Sequence, residues 1–131
     1  MRDIENRAAI DQVIAKFYDQ LLMDPLLSDL FEREVKADLE AHLVKISDFW
    51  EFNLLGTKEY KNNMFAAHIG VHNRWNLNQK KFDRWLDLFC QTIDNLFKGE
   101  NAERMKTNAR GIAAVMISKF QGTQFFNKKS N

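Results

Sequence analysis

The chain is short of everything that interrupts or cross-links a helix. One proline and five glycines in 131 residues leave few places for turns, which favours long helices over strands. A single cysteine, Cys90, excludes an internal disulfide framework. No apolar run approaches the roughly 20 residues of a membrane span, so no membrane partner is expected. A block of one charge is missing as well. The 19 basic and 18 acidic side chains are mixed throughout for a formal net charge of +1. That balance argues against a nucleic-acid partner, whose footprint is a basic face or block. Lys128-Lys129 is a basic pair that reads as a solvated terminus. Residues 1–7 carry charges where a secretory signal would need its apolar centre, so the expected compartment is the cytoplasm.

What is present is apolar surface, much of it aromatic. A 45% hydrophobic content in a chain the size of one domain is enough for a real core. Eleven Phe and three Trp are a surplus of large rings that must be buried or bound to something. Ile10, Val13, Ile14, Phe17, Tyr18, Leu21 and Leu22 repeat at the three-four spacing of one helix face. That helix must end near Asp24-Pro25, because the residue before proline is pushed out of the helical region. Leu26, Leu27, Leu30 and Phe31 form a short apolar turn or small helix before the charged stretch 32–38.

A second long helix carries Leu39, His42, Leu43, Ile46, Phe49 and Trp50 on one side and stops at Gly56. Residues 57–77 are the least regular part, and one short helix around 60–69 followed by a loop is predicted. Asn78 can cap the next helix, with Leu77 packing on Phe82 as a staple. Its stripe runs through Phe82, Trp85, Leu86, Phe89, Ile93, Leu96 and Phe97 to Gly99, and Cys90 on it reads as a small buried hydrophobe. The last helix carries Met105, Ala109, Ile112, Ala113, Met116, Ile117 and Phe120 and is expected to stop at Gly122. The sum is one all-α domain over 1–122, followed by a polar tail, 123–131, in which Phe125 and Phe126 have no assigned role.

Three histidines are the candidates for chemistry. His42 shares a face with Ile46 and Phe49, so its ring points inward. The bland reading is a packed histidine satisfied by a backbone carbonyl or a tyrosine. Tyr18, on the first stripe, is a buried phenol in need of a partner of its own. The helix from His42 rises about 21 Å to Gly56 at 1.5 Å per residue, and a returning helical segment brings His68 back level with His42. Any antiparallel pair of helices would do the same. A rival arrangement pairs His68 with His72 at i,i+4 and adds His42 as a three-histidine zinc site. Gly70 between the pair, and the lack of a following glutamate of the HExxH kind, weigh against it. No serine or cysteine triad, glycine-rich phosphate loop or paired-carboxylate site is evident. A large flat apolar ligand would account for the surplus rings Phe17, Phe31, Phe49, Trp50, Phe65, Trp85 and Phe89.

These residues together resemble the group III truncated haemoglobins over about Ile10 to Phe120. The resemblance is carried by Phe17-Tyr18, Phe31, the block from His42 to Phe49-Trp50, Tyr60 with His68 eight residues later, and Phe82-Asp83-Arg84-Trp85-Leu86-Asp87-Leu88-Phe89. It implies a two-over-two helical sandwich around haem b, with His68 as the axial ligand to iron. Phe31, Ile46, Trp50 and Phe65 would contact the porphyrin. Tyr18, His42 and Trp85 would line the distal side, where a phenol O–H, an imidazole and an indole N–H stabilise charge on bound dioxygen or peroxide. Relatives often have Gly and Pro shortly before the proximal histidine, where this chain has Asn62-Asn63-Met64. His72 is the other position the ligand can take. The implied ligands are dioxygen, nitric oxide or another small molecule. Three polar distal groups favour redox or scavenging chemistry over carriage, so turnover would draw on an external reductase or other electron source. The competing expectations are a cofactor-free helical interaction module and the three-histidine metal site.

Overall fold

The computed structural model describes residues 1–60 and 63–130; of Met64, Phe65 and residues 122–130 it describes the backbone alone. Six α-helices follow in order: α1 (Arg7–Leu21), α2 (Ser28–Glu34), α3 (Leu39–Leu55), α4 (Met64–Trp75), α5 (Gln79–Leu96) and α6 (Glu100–Ser130), with a short 3-10 turn, Lys36–Asp38, before α3. Among the described residues there is no strand. No helix among them is long and apolar enough to cross a membrane.

Local chemistry sets most of the boundaries. Asn6 caps α1 by accepting the Ala9 amide at 2.9 Å, and Asn78 caps α5 by accepting the Lys81 amide at 3.0 Å. Each satisfies a backbone donor that the first turn of a helix leaves over. Gly56 ends α3 in the left-handed region at φ 66°, where a side chain would be strained. The chain between α1 and α2 turns on Asp24, whose buried carboxylate accepts the amides of Leu26 (3.0 Å) and Leu27 (3.1 Å) and the Arg84 guanidinium at 2.7 Å. One side chain thus ties the α1–α2 turn to α5.

Two boundaries differ from the sequence expectation. The helix expected around 60–69 lies at Met64–Trp75, starting where the Asn63 side chain accepts the Ala66 amide at 3.0 Å. It runs through Gly70 and stops at Asn76, which is left-handed at φ 51°. A glycine inside a helix costs only about 1 kcal/mol relative to alanine, so it weakens a helix without ending it. The same reason applies to α6, which passes the expected stop at Gly122 and continues to Ser130. The side chains of Phe125 and Phe126 lie outside the described residues.

Packing makes two crossed pairs. α1 lies on α3 and α5 on α6, while α1 against α5 and α3 against α6 join the pairs. The core between them includes Ile10, Val13, Ile14 and Phe17 of α1, Trp50 and Leu54 of α3, Phe89 and Ile93 of α5, and Met105 and Ala109 of α6. α4 packs against α6, and α2 against the 3-10 turn.

Candidate functional site

Tyr18 of α1 and His42 of α3 meet directly, and Trp85 of α5 joins them through Phe17. Tyr18 sits on the inner face of α1 and is buried; its hydroxyl lies 2.8 Å from Nε2 of His42 on α3. Burial pushes the phenol well above its usual value, so it stays protonated and can donate. Burial also lowers the His42 imidazole, helped by the nearby charges of His68 and Lys45, so His42 favours the neutral ring. A neutral imidazole accepts at one nitrogen and donates at the other, and the Tyr18 bond fixes which edge faces α1. Phe31 of α2 closes on Tyr18 edge-to-face at 5.7 Å between ring centres. Trp85 of α5 is reached through Phe17, edge-on at 5.6 Å to Tyr18 and 5.5 Å to Trp85.

Around this cluster, apolar side chains that would normally finish a core stay only half-buried. Phe31, Leu43, Ile46, Phe49 and Trp85 all pack on the core yet keep exposed surface. Trp50, expected to line the site, lies behind that wall, 3% exposed and stacked on Phe89 at 5.4 Å. The side chain of Phe65 falls outside the described residues. His68 is half-buried on α4.

His72, one turn beyond His68, has a different setting. It is buried, stacks flat on Phe120 at 4.4 Å and 4°, and its Nδ1 accepts the Leu77 amide at 3.0 Å. The three histidines do not gather: among the described residues no group of three or more His, Cys, Asp or Glu side chains could hold a metal ion. The three-histidine zinc arrangement is therefore not formed. Cys90, expected to be buried, is partly exposed at the edge of α5, with its sulfur 3.8 Å from the Arg110 guanidinium. Its stripe position is offset from the buried centre held by Phe89 and Ile93.

Several residues that shape the site carried no sequence signal of that role. Asp24 and Arg84 fix α5 beside Trp85, and only the Pro25 that follows Asp24 had marked the turn. Glu34 accepts two bonds from Arg74 (2.6 and 2.7 Å) and one from the Trp75 indole (2.8 Å), joining α2 to the end of α4. These pairs are 40 residues or more apart in the chain, and no local pattern links them.

Comparison with known proteins gives this arrangement a setting. A family model described as bacterial-like globin matches residues 3–118. No curated protein matches the chain. Among solved structures, that of a group III truncated hemoglobin from Campylobacter jejuni is similar, with 23% identity and a TM-score of 0.81 over 92% of this chain and 95% of that one. The two chains share the truncated globin fold.

Proposed function

The chain belongs to the bacterial-like globin family, and from that premise we propose that it is a group III truncated haemoglobin: a haem b protein that binds dioxygen, nitric oxide or a similar small ligand. The observation that carries the proposal is the Tyr18–His42 bond between α1 and α3, joined to Trp85 of α5 through Phe17 beside half-buried apolar side chains, with His68 on α4. The donor set fits the group. Ile46, Phe49 and Phe31 offer apolar surface, and His68 offers an imidazole nitrogen as a ligand for iron. His72 is a poorer ligand, because one of its ring nitrogens already accepts a backbone amide and its ring is stacked in the core. Bound haem would supply an iron with one free coordination position for a diatomic ligand.

The rest is done by the chain. The Tyr18 hydroxyl, held protonated, can turn from His42 to a ligand in the pocket, and the Trp85 indole N–H is a second donor. Preorganised donors stabilise developing negative charge without reorganising. They also slow ligand escape, which suits redox removal of oxygen, nitric oxide or peroxide, with electrons from an external reductase, better than carriage. The Tyr18–His42 bond would equally satisfy a packed histidine in a cofactor-free module; family membership and the unfinished apolar wall favour the haem reading.

An absorption scan of protein expressed with haem tests this, and lack of a Soret band would sink it. His68→Ala should then lose native iron ligation, restorable by added imidazole, while His72→Phe should keep it. The reverse pattern would move the ligand to His72. Tyr18→Phe should speed ligand dissociation, and an unchanged rate would refute the distal role.

A further inference from the structure

The aromatic rings of the core form a line with a chemical order. Trp85 stacks on Phe89 with 5.2 Å between ring centres and 8° between planes. Phe89 stacks on Trp50 at 5.4 Å, Trp50 meets Phe49 edge-on at 5.2 Å, and Phe49 meets Tyr60 edge-on at 5.2 Å. All four separations are those of rings in direct contact. The rings that give up an electron readily, Trp85, Trp50 and Tyr60, alternate with two that do not, Phe89 and Phe49. The line starts at half-buried Trp85, on the proposed ligand side, and ends at half-buried Tyr60, beside Phe52, which is 45% exposed. Core packing accounts for the burial of Trp50 and Phe89. It does not account for Tyr60, which lies outside any helix and folds back on α3 between Phe49 and Phe52.

We propose that Trp85, Trp50 and Tyr60 form a one-electron relay between the ligand pocket and the protein surface. The relay rests on the haem reading above and adds to it a route for electrons. A hydroperoxide reduced in the pocket takes up two electrons and two protons; hydrogen peroxide then gives two molecules of water. Each electron leaves Trp85, is replaced from Trp50, and then from Tyr60, which releases its phenolic proton to solvent. A dissolved one-electron reductant of the ene-diol class restores Tyr60 at the surface, returning one electron and one proton. Two such passes balance one peroxide. The phenylalanines keep the oxidisable rings in line and are not themselves oxidised.

The test uses the haem-loaded full chain, hydrogen peroxide as oxidant and ascorbate as reductant. Freeze-quenched protein should give a tyrosyl radical signal, and peptide mapping should find oxidation at Tyr60. Tyr60→Phe, which keeps the ring contacts, should lose the signal and slow ascorbate-dependent peroxide removal several-fold, with the Soret band unchanged. Trp50→Phe should also lose it and retain oxidation products at Trp85. Should Trp50→Phe fail to fold, Tyr60→Phe alone decides. A Soret band with an unchanged radical in Tyr60→Phe, or with Tyr60 never oxidised in the native chain, would overturn the relay and leave the haem reading intact. A missing Soret band would overturn both.

Discussion

The two sides of the site are built by different means. The side carrying Tyr18, His42 and Trp85 is made by α1, α3 and α5 packed on one another, and behind it lie Phe17, Trp50 and Phe89, each 3% exposed or less. On α4, which carries His68, His72 is the one buried side chain among those described. That helix is pinned at its C-terminal end by polar groups. Glu34 grips Arg74 and Trp75, Lys81 bonds the carbonyls of Trp75 and Asn76, and His72 takes the Leu77 amide. The proposed distal donors are held by the core, and among the described residues polar bonds that tie α4 to other parts of the chain gather at its C-terminal end. Stability is not uniform over a fold, and parts with few buried apolar contacts open first. The contrast predicts a rigid wall around Tyr18, His42 and Trp85 and a more adjustable α4.

The largest effect should come from the rigid side. Phe89 is fully buried among Phe17, Trp50 and Trp85. Truncating such a ring costs about 3–5 kcal/mol, because the cavity adds to the lost burial. Set against a total of roughly 5–15 kcal/mol for a domain, Phe89→Ala should remove a large part of the stability. Denaturant unfolding should report that loss, with α4 and the core melting together. A cost below about 0.5 kcal/mol, the range of surface sites, would break the comparison.

A middle-sized effect, differently distributed, is expected from Glu34→Ala. Arg74 is well exposed and Glu34 is not, so solvent screening leaves their ion pair little net stabilisation. The indole bond adds about 0.5–1.5 kcal/mol. Global unfolding should therefore shift little. Amide exchange along α4 should nevertheless speed up roughly tenfold, the factor that about 1.4 kcal/mol represents. Equal acceleration in α1 and α5 would show that the pin belongs to the global core and that α4 has no separate opening.

How legible each side was in the sequence follows the same division. α1, α3 and α5 bury one face each, so their apolar spacing announced them, and Gly56 and Asn78 marked ends with a local mechanism. Tyr18 and His42 were legible as inward-facing polar residues because each broke an apolar stripe. α4 was misplaced because it lacks a buried stripe of its own: its start depends on the Asn63 cap, and its finish on contacts with Glu34, Lys81 and Phe120. Those partners lie 5 to 48 residues away from the groups they hold. Periodicity records which face of a helix meets a core, and a helix held by distant polar pins leaves little for it to record. Trp50 shows the other limit, since its stripe position gives the side of α3 but not the depth.

The smallest effect, and the one that sharpens the comparison most, is a pH dependence. Burial holds His72 below the usual imidazole value of 6.5, and His42 is shifted the same way. Below that value the unfolded chain binds protons that the folded chain refuses. Stability is therefore complete above about pH 7 and is lost as pH falls through 6.5, until the folded-state value is reached. Protonated Nδ1 of His72 cannot accept the Leu77 amide, so the pin at the end of α4 is released first. Following Leu77 exchange between about pH 8 and 5, corrected for intrinsic rate, should show this local loss before the core amides respond. The bond at stake is worth about 0.5–1.5 kcal/mol. His72→Phe keeps a flat ring against Phe120 and removes the titration, so its Leu77 exchange should be fast at every pH and flat. If Leu77 in the native chain stays protected down to pH 5 while the core opens, α4 is held by its packing on α6 and the polar pin is secondary.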